Sequence, residues 1–223
     1  MHLQILGHAG ARVLVFPTSM GTHAEWSDRR MHVVLQDHLE NGWIQLFCLD
    51  QPHEANWSND EVHPGHRAWV NLQYYRYVRD EVLPFTASKN QDPFVITVGA
   101  SLGATHAMTV GLRYPEAVGR VLGLSGLYDV KRMTDGYSDQ NVYAVNPMDF
   151  MRHEHEPARL AAFQRQDLIL AIGREDPSFQ NNAEFSGILW SKQIGNALRI
   201  WDGWAHDWPY WEQMVRMYLR GHD

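Results

Sequence analysis

Short runs of consecutive apolar residues alternate along the chain with longer stretches whose apolar positions recur every three to four residues. Arg12-Val-Leu-Val-Phe-Pro17 predicts a buried strand, stopped by proline and the small polar stretch Thr18-Ser-Met-Gly21. Ile44–Leu49, Phe94–Val98, Arg120–Leu124, Leu168–Ile172 and Leu198–Trp201 predict further strands. Helical patterns occupy residues 28–39, His63 to Phe85, the stretch after Gly103 to about Arg113, residues 178–194, and Pro209 to Leu219. Strands that are apolar nearly throughout have two faces to bury. The pattern therefore predicts an α/β chain with a mostly parallel central sheet and helices on both faces. Tyr128 to about Ala158 follows neither period. It is expected to be a loop-rich insertion, either a lid over a site or a surface meander with a short helix.

Composition narrows this picture without redirecting it. A chain of 223 residues, 44% hydrophobic and 20% charged, suits a single domain around one core. No apolar run is long enough to span a bilayer, and the opening MHLQILGHAG has no basic flank before an apolar stretch. The net charge of −7, with no basic cluster, disfavours both nucleic-acid binding and a cation-driven membrane role. Cys48 is the only cysteine, which excludes an intrachain disulfide and suits a reducing cytoplasm. Thirteen histidines invite a metal, yet the nearest pairs, His63/His66 and His153/His155, bring no further ligands with them. No metal and no organic cofactor is expected. Whether the chain self-associates into a homo-oligomer is not written in its sequence.

The feature that most narrows function is Gly99-Ala-Ser101-Leu-Gly103, placed between an apolar strand and a helical pattern. A sharp strand-to-helix turn there lifts a serine hydroxyl above the sheet, and glycines two residues either side admit the close backbone approach. The same turn sets the Leu102 N–H at a helix N-terminus, where it can face a developing oxyanion. A serine hydroxyl needs a base, and the base needs an orienting group. In a sheet of this kind the acid and the histidine follow later strands. Gly173-Arg-Glu-Asp176 and Gly203-Trp-Ala-His206-Asp-Trp208 supply them, with His206 the candidate base and Asp176 the candidate acid. Glu175 is an adjacent rival. Asp207 is next to His206 in sequence, which makes an in-plane bond to the same imidazole awkward, and His106 points down the helix body, where a solvated or packed role suits it. The second oxyanion donor is expected from the loop after the first strand, from the Ser19 N–H first and Met20 second.

Phe16-Pro-Thr-Ser-Met-Gly21, Gly99-Ala-Ser-Leu-Gly103, Gly173-x-x-Asp176 and Gly203-x-x-His206-Asp-Trp208 together resemble one branch of the α/β-hydrolase superfamily. That branch holds esterase D (S-formylglutathione hydrolase), enterochelin-esterase-like proteins and mycolyltransferases. The resemblance spans about residues 10 to 219. It implies a single-domain α/β-hydrolase, a serine acyl-enzyme mechanism on small-molecule esters, and oxyanion donors at Ser19 and Leu102. The loop Thr18–Gly21 has neither the His-Gly pair of lipases nor the Leu-Thr-Cys of esterase D, which argues against a glutathione thioester substrate.

Tryptophans gather near the proposed site. Trp26 and Trp57 on polar stretches, with Trp204 and Trp208 beside the histidine, are expected to wall a substrate cleft. Trp190, Trp201 and Trp211 fall on strand or helix patterns and are expected in the core. The reading is a serine carboxylesterase. An acyltransferase using the same triad, or a catalytically silent scaffold that binds a partner, is the alternative.

Overall fold

Strands without a polar face must be covered on both sides, and this requirement organises the molecule. The computed structural model describes residues 1–53, 57 and 59–219. Among these residues, seven strands form one sheet: Leu3–Leu6 (β1), Ala11–Phe16 (β2), Ile44–Leu49 (β3), Val95–Ala100 (β4), Arg120–Leu124 (β5), Asp167–Gly173 (β6) and Asn196–Trp201 (β7). Their order is β1-β3-β2-β4-β5-β6-β7. All pairings are parallel except β1 with β3, where Leu3 lies opposite Leu49. Every residue of β2, β3 and β4 is buried, whereas the edge strands β1 and β7 are only partly covered.

Alternate residues of the central strands feed two separate cores. Val13, Val15, Leu46, Cys48, Ile96 and Val98 face Trp26, Met31 and Leu35, from the segment carrying Glu25–Asp28 (α1), Met31–Val34 (α2) and Gln36–Glu40 (α3). The last helix, Trp208–Tyr218, adds Trp211, Met214 and Val215 to the same layer. Leu14, Phe16, Phe47 and Val95 point the other way. They meet Tyr75 of Pro64–Tyr77 (α4), Met108 of Leu102–Arg113 (α6) and Phe185 of Phe179–Ser191. Each fully buried side chain of this size contributes about 1.5–3 kcal/mol, so the central strands and their covers carry most of the stability.

The strand order creates the place for a site. From β2 the chain passes to β3 on one side, then crosses back to β4 on the other. The turns after β2 and β4 therefore diverge at their carboxyl ends, and this switch point is where open α/β sheets bind ligands.

The structure departs from the sequence expectation in four places. β1, a four-residue edge strand, is additional. Residues 28–39 fall into separate short helices: Arg30, left-handed at φ 58°, divides α1 from α2, and the chain breaks again at Leu35, between α2 and α3. The long pattern from His63 becomes α4, a π-helical turn over Val78–Val82, and Leu83–Lys89 (α5). Pro84 cannot donate to the preceding turn and its ring crowds that turn's carbonyl, so a widened turn absorbs it. Residues 128–158 are not loop-rich. They hold a 3₁₀ turn at Val130–Met133, then Gln140–Val145 (α7), Pro147–Arg152 (α8) and the start of Pro157–Phe163 (α9). Val130, Val142, Val145, Met148 and Met151 all join the core, so this segment covers the sheet. The remaining helices are Phe179–Ser191 (α10) and Trp208–Tyr218 (α11).

His106, on α6, is fully buried, and its Nδ1 lies 2.9 Å from the Tyr75 hydroxyl. Desolvation pushes its pKa down to about 3. An unfolded histidine titrates near 6.5, so between these values the unfolded chain binds a proton that the folded one refuses. The contribution is complete above about pH 6.5 and is lost toward pH 3, at up to about 1.4 kcal/mol per unit. Urea unfolding from pH 7 to 4 is expected to show a shallower decline in His106→Gln than in the parent. Parallel curves would mean that the imidazole accepts its proton in the fold.

Candidate active site

β4 ends at Ala100 and α6 begins at Leu102, so one residue turns the chain. That residue, Ser101, has φ 55° and ψ −121°, a conformation that strains any L-residue. Its N–H donates to the Leu124 carbonyl at 2.8 Å. The turn is this tight because backbones touch: a Cβ on Gly99 would overlap the Gly103 backbone, and one on Gly103 would overlap the Phe16 carbonyl.

The turns after β6 and β7 reach the same point. Arg174 N–H donates to the Trp201 carbonyl at 2.8 Å, and Glu175 N–H to the Gly203 carbonyl at 2.9 Å, which fastens the two turns together. Asp176 Oδ2 lies 2.6 Å from His206 Nδ1, and His206 Nε2 lies 3.1 Å from Ser101 Oγ. The other oxygen of Asp176 accepts the Ser178 N–H at 2.8 Å. The Asp176 side chain is almost wholly buried, while the imidazole keeps about a quarter of its surface open. Glu175, the rival acid, is exposed. The Trp204 ring stacks on the imidazole at 5.6 Å and 22°, and the Trp211 ring meets it edge-on at 5.4 Å and 62°.

After β2, the Gly21 N–H returns to the Thr18 carbonyl at 2.9 Å and closes a turn whose tip is Ser19-Met20. Two residues that sequence reasoning missed shape it. Glu25 accepts the Thr18 N–H at 2.9 Å and the Thr18 hydroxyl at 2.5 Å. The buried Gln51 amide donates to the carbonyls of Thr18, at 2.5 Å, and Gly21, at 2.9 Å. No sequence signal marks either residue: Gln51 acts on backbone carbonyls, and Glu25 on the Thr18 backbone N–H and hydroxyl together. The Leu102 N–H occupies the first turn of α6, where helical amides have no acceptor within the helix.

The aromatic wall is only partly as expected. Trp26 and Trp57 are each 2% exposed and belong to the two cores, so neither is an open pocket wall. Polar neighbours in sequence concealed this, since Trp26 points inward from the four-residue helix α1 and Trp57 from a turn. Trp204, 50% exposed, stands at the site. Trp208 is half-buried, edge-on to Trp211 at 5.3 Å and beneath the Arg29 guanidinium. Trp211 is buried as expected, whereas Trp190 is exposed. Cys48 is buried, with its thiol pushed up to about 12 by desolvation, and so is unsuited to act as a nucleophile. Among the described residues, no group of three or more His, Cys, Asp or Glu is arranged to hold a metal, and no helix is long and apolar enough to cross a membrane.

The model of the Esterase family, described as "Putative esterase", matches residues 17–218. No curated protein matches the chain. Among solved structures, a ferulic acid esterase superposes with a TM-score of 0.69 at 19% identity, over 96% of this chain and 84% of that one. The S-formylglutathione hydrolase of Agrobacterium tumefaciens gives 0.74 at 14% identity, over 97% and 87%. The fluorophosphonate-binding serine hydrolase F of Staphylococcus aureus gives 0.63 at 13% identity, over 97% and 90%. At these identities the likeness bears on the fold.

The contact at Gly103 is open to a direct test. Gly103→Ala is expected to cost at least about 2 kcal/mol in urea unfolding, because the added methyl has only backbone to displace. An unchanged midpoint would mean that β2 and α6 separate freely.

Proposed function

We propose that this chain, a member of the Putative esterase family, is an α/β-hydrolase that cleaves carboxylic esters as a serine hydrolase, with Ser101 its nucleophile, His206 its base and Asp176 the orienting acid. One observation carries this assignment: an unbroken line of contacts from Asp176 through the imidazole to the Ser101 hydroxyl, at 2.6 and 3.1 Å. The imidazole N–H at Nδ1 donates to the buried carboxylate, which leaves the Nε2 lone pair to receive the serine proton.

As Ser101 Oγ attacks the ester carbonyl, His206 takes its proton and Asp176 stabilises the imidazolium. Negative charge collects on the former carbonyl oxygen. The Leu102 N–H and an amide at the tip of the Thr18–Gly21 turn, Ser19 before Met20, hold it. A donor of this kind supplies about 3–4 kcal/mol of transition-state stabilisation. The imidazolium then protonates the departing alcohol. Water, deprotonated by His206, attacks the acyl-serine; the imidazolium then returns that proton to Ser101 Oγ as the acid leaves. Every step uses this chain's own side chains and backbone amides.

The proposed substrate is a small-molecule ester with an apolar part. Met20, 81% exposed at the tip of the turn after β2, and Trp204, half exposed against the imidazole, support this reading. A lone buried cysteine is compatible with a reducing compartment, and the cytoplasm is the proposed location.

A fluorophosphonate probe is expected to label the native protein, and Ser101→Ala to abolish both labelling and hydrolysis of a short p-nitrophenyl ester. Hydrolysis that survives this substitution would refute the assignment. Asp176→Asn is expected to lower kcat by about 10⁴-fold, while Glu175→Gln leaves kcat within about threefold of the parent. The reverse ranking, read from the same progress curves, would move the acid to Glu175.

A further inference from the structure

We propose that Ser125 is a positioning residue, its hydroxyl fixing the backbone immediately before His206 and thereby setting the imidazole against Ser101. This rests on the triad reading above and adds to it.

Ser125 follows β5 at the carboxyl edge of the sheet and is 1% exposed. Its backbone is left-handed at φ 52°, and its N–H donates to the Ala171 carbonyl at 2.7 Å. The hydroxyl then has two partners. It donates to the Ala205 carbonyl at 3.1 Å and accepts the Trp211 indole N–H at 3.0 Å. Ala205 directly precedes His206, is fully buried, and is itself left-handed at φ 44°. A non-glycine residue holds such a conformation only where its surroundings fix it. The Ser125 hydroxyl supplies one such hold on the carbonyl side.

The preceding residue completes the argument. The Leu124 carbonyl receives the Ser101 N–H at 2.8 Å. Adjacent residues at the end of β5 therefore grip the nucleophile's backbone and the base's loop, although Ser101 and His206 are 105 positions apart. Trp211, bonded to the same hydroxyl, has its ring against the imidazole. Spacing between nucleophile and base is thus set through one strand end.

Ser125→Ala removes the hold on Ala205 and also orphans the buried indole N–H. Ser125→Ala and Ser125→Ala/Trp211→Phe separate these effects, because the second variant removes the orphan without restoring the hold. Positioning predicts that kcat falls about tenfold or more in both variants, with KM within about twofold. The rate of fluorophosphonate labelling should fall in parallel. The melting temperature, lowered in the single variant, should recover in the double. Parent-like kcat in Ser125→Ala, or kcat that recovers together with melting temperature, would overturn the proposal. If Ser125→Ala does not fold, Ser125→Cys is read instead: its weaker donor predicts a lowered kcat, and parent-like kcat overturns the proposal. Ser101→Ala serves as the control. Activity that persists there refutes the triad, whereas its loss beside an unimpaired Ser125→Ala refutes only the positioning role.

Discussion

The meeting of three backbones, at Gly99, Gly103 and the Phe16 carbonyl, is the contact on which the arrangement rests. It joins the two strands flanking the switch point, β2 and β4, to the helix that leaves β4. Because no Cβ intervenes, α6 starts directly against the sheet, and Ser101 must take a strained conformation to connect them. The serine hydroxyl, the Leu102 amide and the turn after β2 are consequences of that single close approach. A longer or looser connection would leave the same residues in the sequence and separate them in space.

The proposed base arrives by a different principle. His206 lies far along the chain, and its position depends on fastening loops rather than on one tight turn. Backbone bonds from Arg174 and Glu175 tie the turn after β6 to the turn after β7. Asp176 is buried, and a buried carboxylate is tolerable only where donors meet it. His206 Nδ1 and the Ser178 N–H are those donors. The side chain that orients the imidazole is thereby held by the same turn that delivers it.

What could be read from the sequence follows from how far each signal acts. The central strands were legible because short, mostly apolar runs such as residues 13–16 and 46–49 have few alternatives, and Gly99-x-Ser101-x-Gly103 because its chemistry is local. Asp176 and His206 were legible because each sits just beyond an apolar strand. Segment 128–158 was opaque, since helices of six or seven residues, started by Asp139 or by prolines 147 and 157, are too short to display a period. Trp26 and Trp57 misled because polarity of neighbours does not report where a side chain points. Gln51 and Ser125 act on main-chain carbonyls from distant positions, and Glu25 on the Thr18 N–H and hydroxyl seven residues away, and composition carries no trace of that. Ser125 left the faintest clue, a hydroxyl at the carboxyl end of a strand adjoining the site.

α6 has one more property. From Leu102 through Leu112 every residue is buried, so the helix has no wetted side. Its hydroxyls and imidazole are accommodated internally, Thr105 on the Leu127 carbonyl, Thr109 on the Thr105 carbonyl and His106 against Tyr75. A helix enclosed in this way cannot peel from the surface ahead of the remainder. The hydroxyl at its head should therefore keep its aim until the whole molecule melts, and catalytic competence and native architecture will disappear in one transition.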